Sequence, residues 1–200
     1  MATPNLSHAA PAVPARERIL TTAYTLFTRR GIRAVGTDEV IAASGVAKAT
    51  LYRHFPSKDD LVLAVLQRRE QLWTLGLVEK QSRLLGNTPE EQLLAIFDVF
   101  HDWFQQREDF DGCSFINVLL ELGAGHPAGQ ASIGYLDNIR GIVRSRAEAA
   151  GLCDPDDFAR SWHILMKGSI ISAAEGDLEA ARRAKRMARM LIEQHRPVEP

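Results

Sequence analysis

Apolar residues recur at three- and four-residue steps along most of the chain. Ile19, Leu20, Ala23, Leu26 and Phe27 form the first such stripe, and it stops at Gly31, a residue suited to the left-handed position that ends helices. A shorter stripe, with Val40, Ile41 and either Ala42 or Ala43 facing inward, begins after Thr37 and stops at Gly45. Thr37 precedes Asp38 and Glu39, so its hydroxyl is expected to cap that helix with both acids in the first turn. A third helix is expected over about 47–54, because Pro56 disfavours helical backbone at Phe55. Ser57 is then the expected cap of a fourth, with Asp59 and Asp60 in its first turn and Leu61, Val62, Val65, Leu66, Leu72 and Trp73 on its core side.

Beyond Lys80 the periodic stretches lengthen. Thr88, Pro89 and Glu91 make a capping box that opens a helix through Leu93, Leu94, Phe97, Phe100 and Phe104. Residues 111–122 form a shorter helix ended by GAGHPAG, and about 128–150 the next, closed by Gly151. Asp154 and Pro155 start another that reaches about 175, and Gly176 with Asp177 starts the last. That helix carries Leu178, Ala181, Ala184, Ala188 and Leu191 on one side. Arg182, Arg183, Lys185, Arg186 and Arg189 lie largely on the others, as a solvated rim. No strand pattern and no repeat interrupts this series, so the fold class is all-α. Residues 1–15 hold Pro4, Pro11 and Pro14 and no acid, lysine or arginine, and are expected to form a flexible arm.

Composition narrows the class further. A chain of 200 residues with 46% apolar content is globular and can divide into a small and a larger unit. It has no uncharged apolar run of about 18 residues and no basic, apolar start, so neither membrane insertion nor export is expected, and the location implied is cytoplasmic. Cys113 and Cys153 are not spaced as metal ligands, and both are expected to be small buried hydrophobes. Neither a metal nor a cofactor is expected. The absence of HExxH, GxSxG and Walker sequences argues against an enzyme. The net charge of −1 conceals a gradient: residues 16–70 carry ten Lys and Arg against six Asp and Glu. A cationic end on an otherwise acidic chain points to an anionic partner, nucleic acid first and a membrane surface second.

Two short helices joined at a glycine turn are the form of a helix-turn-helix, whose second helix enters the major groove of DNA. Leu51 and Phe55 would hold that helix from inside, leaving Lys48, Thr50, Tyr52, Arg53 and His54 on its other sides. Residues 16–72, with RRGIRAVGTDEVIAASGVAKATLYRHFPSKDDLVLAVL, resemble the N-terminal DNA-binding domain of the TetR/AcrR family of transcriptional regulators. GT near the start of helix two, SGV at the turn, TLYRHF in the recognition helix and PSKDDL opening helix four occur together, in order and at the family's spacing.

The resemblance implies a three-helix DNA-binding domain over 16–62, joined by the fourth helix to a larger helical domain over 63–200 that binds an effector and dimerises. On it, Thr37, Thr50, Tyr52, His54 and Lys58 would hold phosphates, while Ala47, Lys48, Ala49 and Arg53 approach base edges. Arg53 can bond guanine O6 and N7 together. Asp38 stands where some members carry a basic residue, and Ala47 and Ala49 offer methyl groups only. The partners implied are double-stranded DNA with a palindromic operator, a second copy joined through the last two helices, and a small-molecule inducer. Small residues there, Gly168, Ser169, Ser172, Ala173, Ala181, Ala184 and Ala188, favour close approach to the copy.

In the larger domain the expected ligand-binding set is Phe97, Phe100, His101, Phe104, Phe115, Asn117, Glu121, Tyr135, Trp162, His163 and Met166. It combines aromatic area with a few polar groups, the make-up of an apolar ligand site with orienting hydrogen bonds. The competing reading of those aromatics is plain bundle core. The function implied is a repressor released from its operator by a small, largely apolar ligand. The alternative is a constitutive or architectural DNA-binding protein without a ligand.

Overall fold

The computed structural model describes residues 13–106 and 110–198, so residues 1–12 of the expected arm lie outside the described residues. Among the described residues the regular structure is helical, without a strand. The helices are α1 (Ala15–Arg30), α2 (Thr37–Ser44), α3 (Lys48–His54), α4 (Lys58–Arg69), α5 (Ser82–Leu85), α6 (Pro89–Gln105), α7 (Ser114–Leu122), α8 (Pro127–Ala149), α9 (Pro155–Ala174) and α10 (Ala180–Gln194), with a π-helical stretch, Glu70–Gln81, running from α4 into α5. None of them is long and apolar enough to cross a membrane.

Local chemistry sets most of the boundaries. Ser57 and Asp60 exchange bonds, Asp60 N–H donating to Ser57 Oγ at 3.1 Å and Ser57 N–H to Asp60 Oδ2 at 3.0 Å. Thr88 and Glu91 do the same at the start of α6. Each pair satisfies two donors that a helix start leaves open, worth about 1 kcal/mol for the cap. Thr37 departs from expectation. The extended backbone of a cap falls on Gly36, so Thr37 is the first helical residue and caps nothing. Its hydroxyl instead shares a hydrogen bond with Tyr52 Oη at 3.3 Å, tying the start of α2 to α3. The inner face of α2 is Val40 with Ser44, while Ala42 and Ala43 are exposed. Residues 111–113 precede α7 as non-helical backbone, and α10 starts at Ala180, because Asp177 accepts from Glu179 N–H and pairs with Arg183 in the turn before it. Cys113 is buried as expected, whereas Cys153 is exposed beside the turn that Gly151 opens.

α1, α2 and α3 close around Ile19, Ala23, Phe27, Val35, Val40, Leu51 and Phe55, all buried. α4 lays Leu61, Val62, Val65 and Leu66 against that core and carries the chain onward into the larger domain. There α6, α8, α9 and α10 form a bundle. Of the small residues expected at a dimer contact, Ser169 and Ala173 of α9 and Ala181, Ala184 and Ala188 of α10 are buried within one chain, while Gly168 is exposed and Ser172 half-buried. The buried ones let α10 approach α9 and α6 closely. Arg146, 5% exposed, donates to Ser82 Oγ, to the carbonyls of Gln92 and Glu79 and to the Glu79 carboxylate at 2.7–3.0 Å. It thereby fastens the end of the π-helical stretch to α6 and α8.

Candidate nucleic-acid interface and effector region

Gly45 ends α2 at φ 63°, a left-handed conformation that glycine adopts without strain, and the chain turns into α3 within three residues. Leu51 and Phe55 anchor α3 with 0% and 3% exposure, so truncating Leu51 to alanine would cost about 2–5 kcal/mol. The opposite surface presents Ala47, Lys48, Ala49, Tyr52 and Arg53 to solvent, with Thr50 and His54 half-buried at its margins. Arg53 makes no hydrogen bond or ion pair among the described residues and stands free to meet a partner. Lys48 lies 3.4 Å from Asp38, but both side chains are largely exposed, and such a pair is worth well under about 1 kcal/mol. A phosphate or base edge can therefore take Lys48 from Asp38 at little cost.

Lys58 is placed differently from the phosphate contact expected of it. Its ammonium group donates to the Ile32 carbonyl at 2.6 Å and sits 5.9 Å from the Phe27 ring centre. The Lys58 side chain thus braces the loop after α1 instead of projecting from the reading surface. The same loop is held from the other side by Glu121 of α7, whose carboxylate accepts from Ile32 N–H at 2.9 Å and Arg33 N–H at 2.6 Å. Gly31 makes this approach feasible, since its φ is 84° and a Cβ there would lie 3.1 Å from Glu121 Oε2. Glu121 was expected to orient a ligand; both of its oxygens are instead engaged on backbone amides nearly ninety residues away.

The remaining expected ligand residues separate into two groups. Phe97, Phe100, Phe104, Phe115, Trp162 and Met166 are essentially without exposure. Their rings form a continuous series: Trp162 packs on Phe97 at 5.3 Å, Phe97 on Phe100 at 6.3 Å, Phe100 on Trp73 at 5.6 Å and on Phe104 at 5.9 Å. Phe115 stacks on Tyr135 at 5.1 Å. Such edge and offset contacts each add about 0.5–1.5 kcal/mol beyond burial, so this part of the set is bundle core in the conformation described. Asn117 and Glu121 line a cleft between α1, α4 and α7 instead, away from those rings.

Several polar groups lie in or beside the aromatic core, among them the expected Trp162, His101 and His163 and, outside the expected set, Glu70, Thr74 and Trp73. Glu70 Oε1 accepts from Asn138 at 2.9 Å, while Glu70 Oε2, Thr74 Oγ1, Trp73 Nε1, Trp162 Nε1, His101 Nδ1 and His163 Nδ1 are buried without a hydrogen-bond partner. A native core leaves few such groups, and each asks for a water or a ligand atom. Burial pushes the His163 imidazolium down to about 3, helped by the cationic Lys167 and Arg140 nearby, so the ring is neutral at pH 7. Burial, with the Glu70 carboxylate close by, raises the Tyr135 phenol. The signal for Glu70 was present in the sequence: it lies three to four residues from Leu66 and Trp73, on their core-facing stripe.

Comparison with known proteins agrees with the geometry of the N-terminal helices. Residues 19–65 match the bacterial regulatory proteins of the tetR family. The chain is 36% identical over 90 residues to the transcriptional activator FasR of Mycolicibacterium smegmatis, a match covering 45% of this chain and 40% of FasR. It is 26% identical over 178 residues to the transcriptional repressor ComR of Escherichia coli, covering 85% and 84% of the two chains. Among solved structures, the TetR-family regulator SCO4454 of Streptomyces coelicolor superposes with a TM-score of 0.83 at 27% identity, over 90% of this chain and 95% of that one. With the helix-turn-helix, the helical second domain and these likenesses together, residues 19–65 are those of a tetR-family DNA-binding domain, and the chain as a whole is similar in fold to TetR-family transcriptional regulators.

Proposed function

We propose that the protein is a homodimeric repressor that reads an approximately palindromic operator and leaves it when a small, largely apolar ligand enters the larger domain. In this reading residues 16–62 are the DNA-binding domain and 63–200 the effector and dimerisation domain. The observation that carries the DNA-binding half is α3 itself, with an unengaged Arg53 beside Lys48 and Tyr52 on a helix fixed from below by Leu51 and Phe55. Arg53 reads a base, Ala47, Lys48 and Ala49 lie against base edges, and Thr37, Thr50, Tyr52 and His54 meet phosphates. Lys58 joins the phosphate set only by leaving the Ile32 carbonyl.

Dimerisation is supported by an apolar stripe across the last two helices. Ile164 and Ile171 of α9, seven residues apart, and Met187 and Met190 of α10, three apart, are 48–71% exposed, each pair on one face of its helix. A patch of this kind on a small domain marks an interaction surface. Two copies joined there would present two α3 helices to half-sites about 34–36 Å apart.

The ligand half rests on the unpartnered groups around Glu70, Thr74, Trp73, Trp162 and His163, which a ligand bearing hydrogen-bonding groups on an apolar body would satisfy. The closed packing of the aromatic set favours the second reading, a DNA-binding protein without a ligand, unless the core opens. Both activators and repressors occur among the relatives, so the sign of regulation is set by experiment. Fluorescence anisotropy on duplex from upstream of the protein's own gene, against scrambled duplex across a salt series, tests the operator-reading role. Sequence-dependent binding lost on adding an apolar compound supports the repressor. Sequence-dependent binding that no compound weakens supports the ligand-free reading, and equal weak binding to both duplexes, persisting after selection from random duplexes, overturns both.

A further inference from the structure

The cleft between α1, α4 and α7 is not part of the aromatic core, and it has the features of a site in its own right. Its volume is about 240 Å³, just under the roughly 300–1,000 Å³ of pockets for drug-sized ligands, so an occupant would be small. Phe27, Ile32, Val62, Val65, Leu66 and Val118 supply an apolar floor drawn from both domains. Two polar groups in its wall are unsatisfied: the buried Ser114 hydroxyl has no hydrogen-bond partner, and the half-buried Asp111 carboxylate has neither a hydrogen bond nor an ion pair among the described residues. Asn117 already donates to the Asp111 carbonyl, Glu121 is occupied by the two loop amides, and Arg29, the lone base in the wall, is engaged. What the cleft offers a newcomer is therefore the Asp111 carboxylate, which no described residue bonds or pairs with, and one hydroxyl above an apolar floor.

We propose that this cleft is a second ligand site, taking a small molecule with an apolar body and a protonated amine head. The amine pairs with Asp111, the Ser114 hydroxyl accepts a second N–H, and the body displaces water from the valine and leucine floor. A charge-assisted bond at a site of lowered dielectric is about twice as strong as a neutral one, which makes the head group the discriminating element. Ile32 is both a floor residue and the residue whose N–H Glu121 holds, so the occupant sits against the link between the two domains. The site does not depend on a ligand in the aromatic core.

The test is titration of the full-length protein with 2-phenylethylamine, 2-phenylethanol and 3-phenylpropionate, followed by calorimetry and by the backbone amide spectrum. The expected result is saturable shifts at Ile32, Arg33 and Val118, with the amine bound at least tenfold more tightly than the alcohol and the acid bound least. Asp111→Asn, which leaves the Asp111 carbonyl bond to Asn117 in place, should bring amine and alcohol to equal affinity. Val118→Trp should block both, with an unchanged far-ultraviolet spectrum confirming that the variant folds. No saturable shift with the amine, or equal binding of all three compounds, overturns the proposal. Shifts confined to the Trp73 and Trp162 indoles would also overturn it, while supporting the core site proposed above.

Discussion

Replacing Glu121 by glutamine tests how the two domains are held together. The carboxylate bonds two successive amides at 2.9 and 2.6 Å, and a hydrogen bond to a charged group contributes about 1.5–3 kcal/mol. Glutamine retains one acceptor, loses the charge and turns an NH₂ toward an N–H donor, so at least one bond is lost. Glu121 is half-exposed and water replaces part of what is removed, which brings the expected loss to about 2 kcal/mol. That free energy corresponds to about 30-fold faster hydrogen exchange at Ile32 and Arg33 if opening of the loop is what exposes them. Exchange measured by nuclear magnetic resonance on the wild type and on Glu121→Gln reads this directly, with the amides of α6 as an internal control. Acceleration of less than threefold at both residues, or equal acceleration in α6, would refute a clamp localised at this loop.

Three further outcomes are expected. Arg53→Ala should cost about 1–3 kcal/mol on the true operator and flatten discrimination among variant sites, read by competition binding; an equal loss on scrambled duplex would make Arg53 a phosphate contact. His163 is neutral in the fold, with its acidity pushed to about 3, while its unfolded value is near 6.5. The unfolded chain therefore binds the extra proton below about pH 6.5, so stability falls as pH falls, by about 2 kcal/mol between pH 7 and pH 5 from this residue. Urea unfolding at the two pH values should show a correspondingly smaller difference in His163→Leu, and an identical difference would place the ring in water. Met190→Glu should shift the sedimenting species to monomer with an unchanged helical spectrum, and a persistent dimer would move the interface away from the α9–α10 stripe.

The DNA-reading end was legible in the sequence because its boundaries are local. Gly45 needs a left-handed backbone, Pro56 stops a helix, and Ser57 with Asp60 builds a cap from residues three apart, all chemistry visible in a short window. Even there a one-residue shift of the cap from Thr37 to Gly36 changed a side chain's role, since a hydroxyl that does not cap is free to bond Tyr52. The aromatic set of the larger domain was legible only in composition. Phe97, Phe100 and Trp162 suit a ligand site and a plain core equally by composition, and whether they enclose a void depends on how helices far apart in sequence meet. The roles of Glu121 and Lys58 were hidden for the same reason. Nothing near Glu121 in sequence announces that α7 backs onto the loop after α1, or that an invitation to approach comes from the missing Cβ of Gly31.

The contacts that join α1–α4 to the helices beyond them can be ranked by geometry, and the ranking says where regulation can act. His126 approaches Asp59 at 3.6 Å on the surface, where a pair is worth about 0–1 kcal/mol and needs a charged imidazole. Arg69 donates to the Gly112 carbonyl at a long 3.4 Å, with its guanidinium already resting over the Trp73 and Trp103 rings. The Glu121 clamp is shorter, doubled and charge-assisted, so α7 is the element whose movement the reading head must follow. A clamp worth about 2 kcal/mol in one arrangement only can bias two arrangements by about 30-fold and no further. An effector that breaks it is therefore limited to that range through this contact, and a larger loss of operator affinity on ligand binding would require α4, the other connection between the domains, to move as well.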